Sequence, residues 1–322
     1  MSRYIAMRLL SGVLLLLTVS ILAFALLYFM PGSAVDYLVD ENATAETVAR
    51  ITEQYGLDQP LHIQYIRWLN NLLHGNLGKS MQSKMDVSEI IAFRLPITLR
   101  FTLMAFLLRL AISIPLGIVC ALRKDGVFDK CVMAITSIFQ AIPNFWLGIL
   151  LILLFSVKLN WLPLNGYGTP AHYVLPTIAL AMSGVANSIR LTKVEALDVY
   201  KERYVLTAYA KGLKKRKVIV GHVLRNSLIL VMVMSFMSIP YLISGAMIIE
   251  NLFVIPGMGT VITQSIRVMD FPVVQAAVLL IAALVIVCNI ASDILMAILD
   301  PRVREEREFL TEKQIQVSDV SC

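Results

Sequence analysis

Charge is scarce in this 322-residue chain: Asp, Glu, Lys and Arg together supply 16% of it, against about 25% in an ordinary soluble domain. Histidine is rarer still. The four present, His62, His74, His172 and His222, form no HExxH pair, and no GxSxG elbow occurs, so neither a zinc nor a serine hydrolase finds its signature. His62 and His74, twelve residues apart, are the one pair that metal capture would have to bring together, and ordinary loop histidines are the better reading. The four cysteines, Cys120, Cys131, Cys288 and Cys322, lack metal-ligand spacing. All fall in apolar runs or on the side assigned below to the cytoplasm, which argues against disulfides. Cys322 is the last residue and lacks the three that follow a prenylated cysteine. Alternating barrel strands and internal repeats are missing as well. No catalytic residues, no metal ligands and no bound cofactor are therefore expected.

Apolar surface is what the chain has in excess, with 58% hydrophobic residues and a mean hydropathy of +0.75, far more than one soluble core could hide. Crossing a hydrocarbon layer of ~30 Å takes about 20 helical residues. Runs of that length lie at residues 9–30, 97–121, 132–157, 173–191, 227–249 and 273–297, which predicts an all-α membrane protein with six transmembrane helices. Helices, unlike open strands, satisfy their own backbone in lipid. The first run follows Arg3 and Arg8, but it is too long for a signal peptide and "FMPGSA" is a poor cleavage site, so a retained anchor is expected.

Lysine and arginine in the short loops set the expected orientation. Arg123, Lys124 and Lys130 lie between the second and third runs, and Lys211 to Lys217 between the fourth and fifth. Both loops and both termini are then cytoplasmic. The formal charge of +6 is thus topological and no sign of nucleic-acid binding. The segment from Pro31 to Arg94 falls outside, its first half acidic through Asp36, Asp40, Glu41, Glu46, Glu53 and Asp58. Residues 45–55 read as a short helix stopped by Gly56, and Pro60 opens another with Leu61, Tyr65, Trp68, Leu69 and Leu72 on one face, a small helical cap. "GNLGKS" at Gly75 to Ser80 ends like a phosphate-binding loop, yet Leu73 stands where the first glycine is needed and no strand precedes it.

Polar residues stand inside the apolar runs. Arg109, Gln140, Asn144, Ser183 and Asn187 are candidates for lining a translocation path, with interhelical hydrogen bonding as the plainer alternative. Asn289 and Asp293 are further polar positions, and Pro115, Gly117 and Pro143 are expected to bend or loosen their helices.

Residues 189–228 depart from the lipid-soluble pattern. Val194, Leu197, Val205 and Ala208 recur at helical spacing, small residues crowd Thr207 to Ala210, and Gly212 interrupts before Val218, Ile219, Val223 and Leu224. A helix, a glycine turn and a second helix are expected there. The basic run Lys214 to Lys217 suits an acidic partner, lipid phosphates or topology alone.

"DVYKERYVLTAYAKGL" followed by "VLRNSL" resembles the cytoplasmic EAA-type loop of permease subunits in ATP-binding cassette (ABC) importers, in the dipeptide, oligopeptide and nickel family. "MPG" at Met30 to Gly32, "YGLDQPL", "GNLGKS", "LPITL", "IPLGI", "PNFWLGILL", "PGMG", "DFPVVQA" and "LDPRVR" extend the likeness over nearly the whole chain. Departures are "PGSA" for an acidic turn, Leu206 where the EAA triplet opens with Glu, and Arg109 where an aliphatic residue is expected.

The resemblance implies a type I ABC importer permease fold in a bacterial cell membrane. It implies an N-terminal helix and extracytoplasmic segment over 1–93, a permease core over 94–298 and a cytoplasmic tail over 299–322. The implied partners are a second, homologous permease subunit, two ABC ATPase subunits, an extracytoplasmic solute-binding protein and membrane lipid. The permease itself would catalyse nothing. Tyr204, Val205, Thr207, Ala208, Ala210, Lys211, Gly212 and Leu213 would form the ATPase-coupling loop, with Thr207, Ala208 and Ala210 as a small contact face. Nickel, metal chelates and di- or oligopeptides are all carried on this scaffold. "MIIENLF" and "GYG" lean toward the nickel branch. The alternative, an ion-coupled secondary transporter, would need a repeat and a carboxylate relay, for which Asp293 is the one mid-span acid. A static membrane scaffold would have no use for the Gly212-broken loop.

Overall fold

The computed structural model describes residues 2–28 and 58–299, with isolated positions between 44 and 53. The expected turn at Met30 to Gly32, most of the helix over 45–55 and the tail beyond Leu299, Cys322 included, lie outside the described residues. Among those described, helices make up the regular structure, and the only β feature is one isolated bridge between Lys79 and Asp86. The all-α expectation holds.

Among the described residues, four helices are long and apolar enough to cross a membrane: α1 (Ser2–Tyr28), α3 (Val87–Leu122), α9 (Lys215–Phe236) and α12 (Phe271–Leu299). The short α2 (Leu61–Leu73) lies between the first two. Three bent pairs bring the possible number of spans to seven. They are α4 (Val127–Ala141) with α5 (Asn144–Lys158), bent by 99°; α6 (Pro170–Met182) with α7 (Val185–Tyr200), by 56°; and α10 (Ile239–Phe253) with α11 (Met258–Arg267), by 68°. A last helix, α8 (Arg203–Ala210), is too short to span.

The six expected spans fall between the four unbroken helices and the seven segments that the bent pairs allow, and the breaks have local causes. Pro143, which cannot donate a backbone hydrogen bond, stands at the 99° bend. Ser183 and Gly184 separate α6 from α7, with Gly184 at φ +132°, outside helical space. The expected run 227–249 is two elements, because α9 ends at Phe236 and Pro240 starts α10. Hydropathy is continuous across these breaks, and of the three only the one at Pro143 is expected from the sequence. Pro115, conversely, leaves α3 continuous from Val87 to Leu122.

Packing is organised around α3, which makes its most extensive contacts with α7 and runs through all three buried clusters. The central cluster joins Phe101, Ala105 and Leu110 to Leu180 of α6 and Leu242, Ile249 and Phe253 of α10. At one end Val87 and Ile91 meet Met258, Val261 and Val273, and at the other Ile118 meets Ala196, Val205, Val218 and Val223. Peripheral α1 keeps most of its leucines exposed and rests on α12, where the Arg8 guanidinium lies 3.1 Å from the Asp293 carboxylate. Against α1 packs α2: Tyr65 meets Phe24 edge-on, and its hydroxyl bonds Ser20 at 2.8 Å. Tyr65, Trp68, Leu69 and Leu72 are the half-buried face, as the sequence pattern predicts, whereas Leu61 is exposed.

Candidate functional site

At the lysine-rich end of the bundle, Glu202 begins α8 and Gly212 ends it. The Gly212 N–H donates to Tyr209 O at 2.9 Å and the Leu213 N–H to Ala208 O at 3.3 Å, the two bonds of a Schellman turn. Gly212 has φ +76°, a conformation that other residues adopt only with strain. Leu213 folds back onto the same apolar cluster as Ala208, completing the motif. The expected helix, glycine turn and second helix are thus present.

The faces of α8 are not distributed as the small-residue reading supposed. Val205 is 0% and Ala208 5% exposed, both packed on the cluster of Ile118, Ala196, Val218 and Val223. Ala208 is therefore a core residue of the loop and does not belong to its contact face. Tyr204, Leu206, Thr207, Ala210, Lys211 and Gly212 are the exposed ones. Tyr209 braces the helix to the end of α7, its hydroxyl 3.2 Å from that of Tyr200. That hydrogen bond first, then burial, pushes the Tyr209 phenol up to about 12, so it stays protonated. The result is a short helix with a fixed inner face and a free outer one.

A second polar surface lies on α4 and α7. Gln140 Nε2 donates to Asn187 Oδ1 at 3.1 Å, which joins two of the sequence-predicted path candidates. Arg190, which hydropathy assigns to the end of a span, completes the group, its Nη1 donating to Gln140 Oε1 at 3.0 Å and its Nη2 to Ser137 Oγ at 2.9 Å. Ser137, Gln140 and Asn187 are exposed, and beside them on α4 stand exposed apolar residues such as Ile135 and Ile138. Asn144 stands just past the Pro143 bend, and its Oδ1 accepts from the Phe145 N–H at 2.9 Å.

Arg109 does not share that surface. It is buried, donating through Nε to Ser188 at 2.9 Å and through Nη1 to Ser238 at 3.1 Å. Its guanidinium lies flat against Gly184, where a Cβ would come within 2.8 Å of Cζ. Arg109 thus ties α3 to α7 and to the start of α10, the interhelical alternative the sequence left open. The buried hydroxyl of Ser183, beside Gly184, has no hydrogen-bond partner.

Two acidic side chains that sequence reasoning did not single out hold the opposite half together. Glu250, fully buried, accepts from the Thr98 hydroxyl at 2.6 Å and from the Gly259 N–H at 2.7 Å, while the Met258 N–H donates to Thr98 Oγ1 at 2.8 Å. A carboxylate thereby closes the first turn of α11 and binds α10 to α3. Asp270 accepts the Ser80 hydroxyl and, at 3.0 Å, the Met81 N–H. "GNLGKS" is consequently a turn fastened to the start of α12, and its Lys79 faces solvent. A lone acid inside an apolar run, Glu250 in "MIIENLF", was the available signal. Among the described residues, no group of three or more His, Cys, Asp or Glu side chains could hold a metal ion.

Comparison with known proteins yields matches along most of the chain. The family model "Binding-protein-dependent transport system inner membrane component" matches residues 113–305, and its N-terminal companion matches residues 1–102. A putative peptide transport system permease protein of Brucella abortus (strain 2308) is 37% identical over 312 residues, covering 94% of this chain and 99% of its own length. The oligopeptide transport system permease protein AppB of Bacillus subtilis (strain 168) is 37% identical over 314 residues, with the same coverage. The glutathione transport system permease protein GsiC of Salmonella paratyphi A (strain ATCC 9150 / SARB42) is 35% identical over 304 residues, again at 94% and 99%.

Proposed function

Because the chain belongs to the family of binding-protein-dependent transport system inner membrane components, among the dipeptide and oligopeptide permeases of ABC importers, we propose that it forms half of the translocation pathway of a peptide importer. A second permease supplies the other half. ATPase subunits engage it from the cytoplasm, and a solute-binding protein delivers cargo from outside. Peptide and glutathione are the cargoes in the relatives' names. Those names give the nickel lean no support; within the fold, Glu250 of "MIIENLF" is held by Thr98 and Gly259, and Gly166 of "GYG" donates its N–H to Phe253 O at 3.0 Å. Both motifs serve the fold.

Residues 94–298 are the proposed permease core, preceded by the 1–93 segment and followed by the 299–322 tail, with both termini cytoplasmic. No cofactor is bound by this subunit in this reading. Gln140, Asn144 and Asn187 line the path, while Arg109 and Ser183 lie behind its wall. Asp293, in an ion pair with Arg8, is an anchor of α1 rather than a relay for an ion-coupled transporter.

The observation that carries the coupling assignment is the geometry of α8. Its outer face, Tyr204, Leu206, Thr207, Ala210 and Lys211, is free, and its inner face, Val205 and Ala208, is locked to α3, α7 and α9. A push on such a lever reaches the bundle, and ATP binding below would shift the balance of inward- and outward-facing states. The substitution Ala210→Trp adds bulk on the outer face alone. It is expected to strip the ATPase subunits during purification and abolish import. Retained ATPases with normal import would refute the docking assignment.

A further inference from the structure

Arg190 has no role in the lever and points the wrong way for a topological charge. Lys193, one turn nearer the lysine-rich end of α7, reaches Asp129, which lies two residues into α4 and so about 3 Å from its start. Arg190 reaches Ser137 and Gln140, ten and thirteen residues in, about 15 to 20 Å along the same helix. A basic side chain near a membrane face normally extends toward the nearer water. This one extends away from it, to about half the depth of a hydrocarbon layer of ~30 Å.

Its neighbours leave it a full charge and spare donors. A guanidinium has five N–H groups; two are engaged by Gln140 and Ser137, which leaves three. No acidic side chain pairs with it among the described residues, whereas Lys193 is neutralised by both oxygens of Asp129 at 2.7 Å. Ser137, Gln140 and Asn187 around it are exposed, and lipid cannot accommodate such a group. Neutral partners that fix a guanidinium without discharging it present its remaining donors to a planar, two-oxygen anion.

We propose that Arg190, set by Gln140 and Ser137, is the residue of the translocation path that reads a carboxylate on the cargo, the terminal carboxylate of a peptide. This rests on the peptide reading above. The exposed polar face is then the water-filled wall of the path, and Arg190 holds the anionic end of the cargo through charge-assisted hydrogen bonds as it passes.

The test uses the complete importer in proteoliposomes, with its second permease, ATPases and binding protein, and compares uptake of tri-alanine with that of tri-alanine amide. The binding protein is the same for every variant, so its own preference cancels in the ratio of variant to wild type. Arg190→Gln is expected to slow the free acid about ten-fold while changing the amide less than two-fold. Arg190→Lys, which keeps the charge without the fork, is expected to recover part of the loss. Equal slowing of both peptides would overturn the inference and leave the peptide reading standing. Loss of the second permease or the ATPases from purified Arg190→Gln would also overturn it, because Arg190 would then be pairing with an acid of the assembly. A wild-type importer that carries neither of these, nor di-alanine, penta-alanine or glutathione, would remove the peptide reading itself and this inference with it.

Discussion

At the scale of single residues, the bend between α10 and α11 shows how a buried acid is tolerated in an apolar bundle. Val254 ends α10 at φ +55°, a region costly for a β-branched side chain, of order 1–3 kcal/mol. The clamp on the following turn holds it there: Glu250 fixes the Gly259 N–H and, through its backbone carbonyl, the Ile255 N–H at 2.9 Å. Glu250→Ala would leave Thr98 and Gly259 without their acceptor and is expected to cost about 2–6 kcal/mol, an unsatisfied buried group being worth about 1–3 each. Val254→Gly should act in the opposite sense by about 1 kcal/mol, because the side chain is half in the open and glycine removes the strain. Thermal unfolding of the detergent-solubilised protein, followed by aggregation or intrinsic fluorescence, reads both. A drop of similar size in both variants would mean that Val254 is packed rather than strained. Neither role was legible in the sequence, since an isolated Glu in "MIIENLF" signals a burial problem but not which hydroxyl or amide solves it.

At the scale of elements, the loop helix was legible in outline and misread in orientation. Val194, Leu197, Val205 and Ala208 gave the period, and Gly212 gave the stop. Residue size, however, does not say which side of an eight-residue helix meets its own protein, and Ala208 turned out to pack inward with Val205. The loop should therefore respond to substitution by face. Ala208→Leu is expected to cost about 1–3 kcal/mol through overpacking and to disturb the loop before any partner is involved. This is seen as faster proteolysis between Lys201 and Lys217 in the isolated permease. Leu206→Glu, which restores the residue that the resembling loops place first in their triplet, adds a carboxylate at a position 61% exposed. A surface change of this kind is worth about 0.5 kcal/mol or less in stability, and because the resembling coupling loops carry Glu at this place, import should stay within about two-fold of wild type. An inactive Leu206→Glu importer would mean that this exposed leucine enters an apolar pocket of the ATPase.

At the scale of the whole molecule, two kinds of signal must agree, the distribution of basic residues and the packing that gathers them. Arg123 and Lys124 after α3, Lys130 at the start of α4 and Lys211 to Lys217 before α9 are far apart in sequence. The cluster of Ile118, Ala196, Val205 and Val218 brings those loops to one end of the bundle. The turn of Ser80 and Met81, fixed by Asp270, lies at the other. Hydropathy found the apolar mass, its approximate boundaries and six spans, a number within the four to seven that the helices allow among the described residues. The bend at Pro143 is expected from its proline, whereas the break at Gly184 and the end of α9 before Pro240 depend on backbone geometry that an unbroken apolar run does not record. The proposed orientation does not depend on that number, because the sidedness of the basic loops follows from which end they share and not from how many segments lie between. In a cysteine-free background, Lys214→Cys should react with a membrane-impermeant maleimide only in inside-out vesicles, and Gln82→Cys only in right-side-out ones. The opposite pattern would invert the protein and place α8 where no ATPase could reach it; both cysteines reacting from one side would show that the two ends of the bundle do not face opposite compartments.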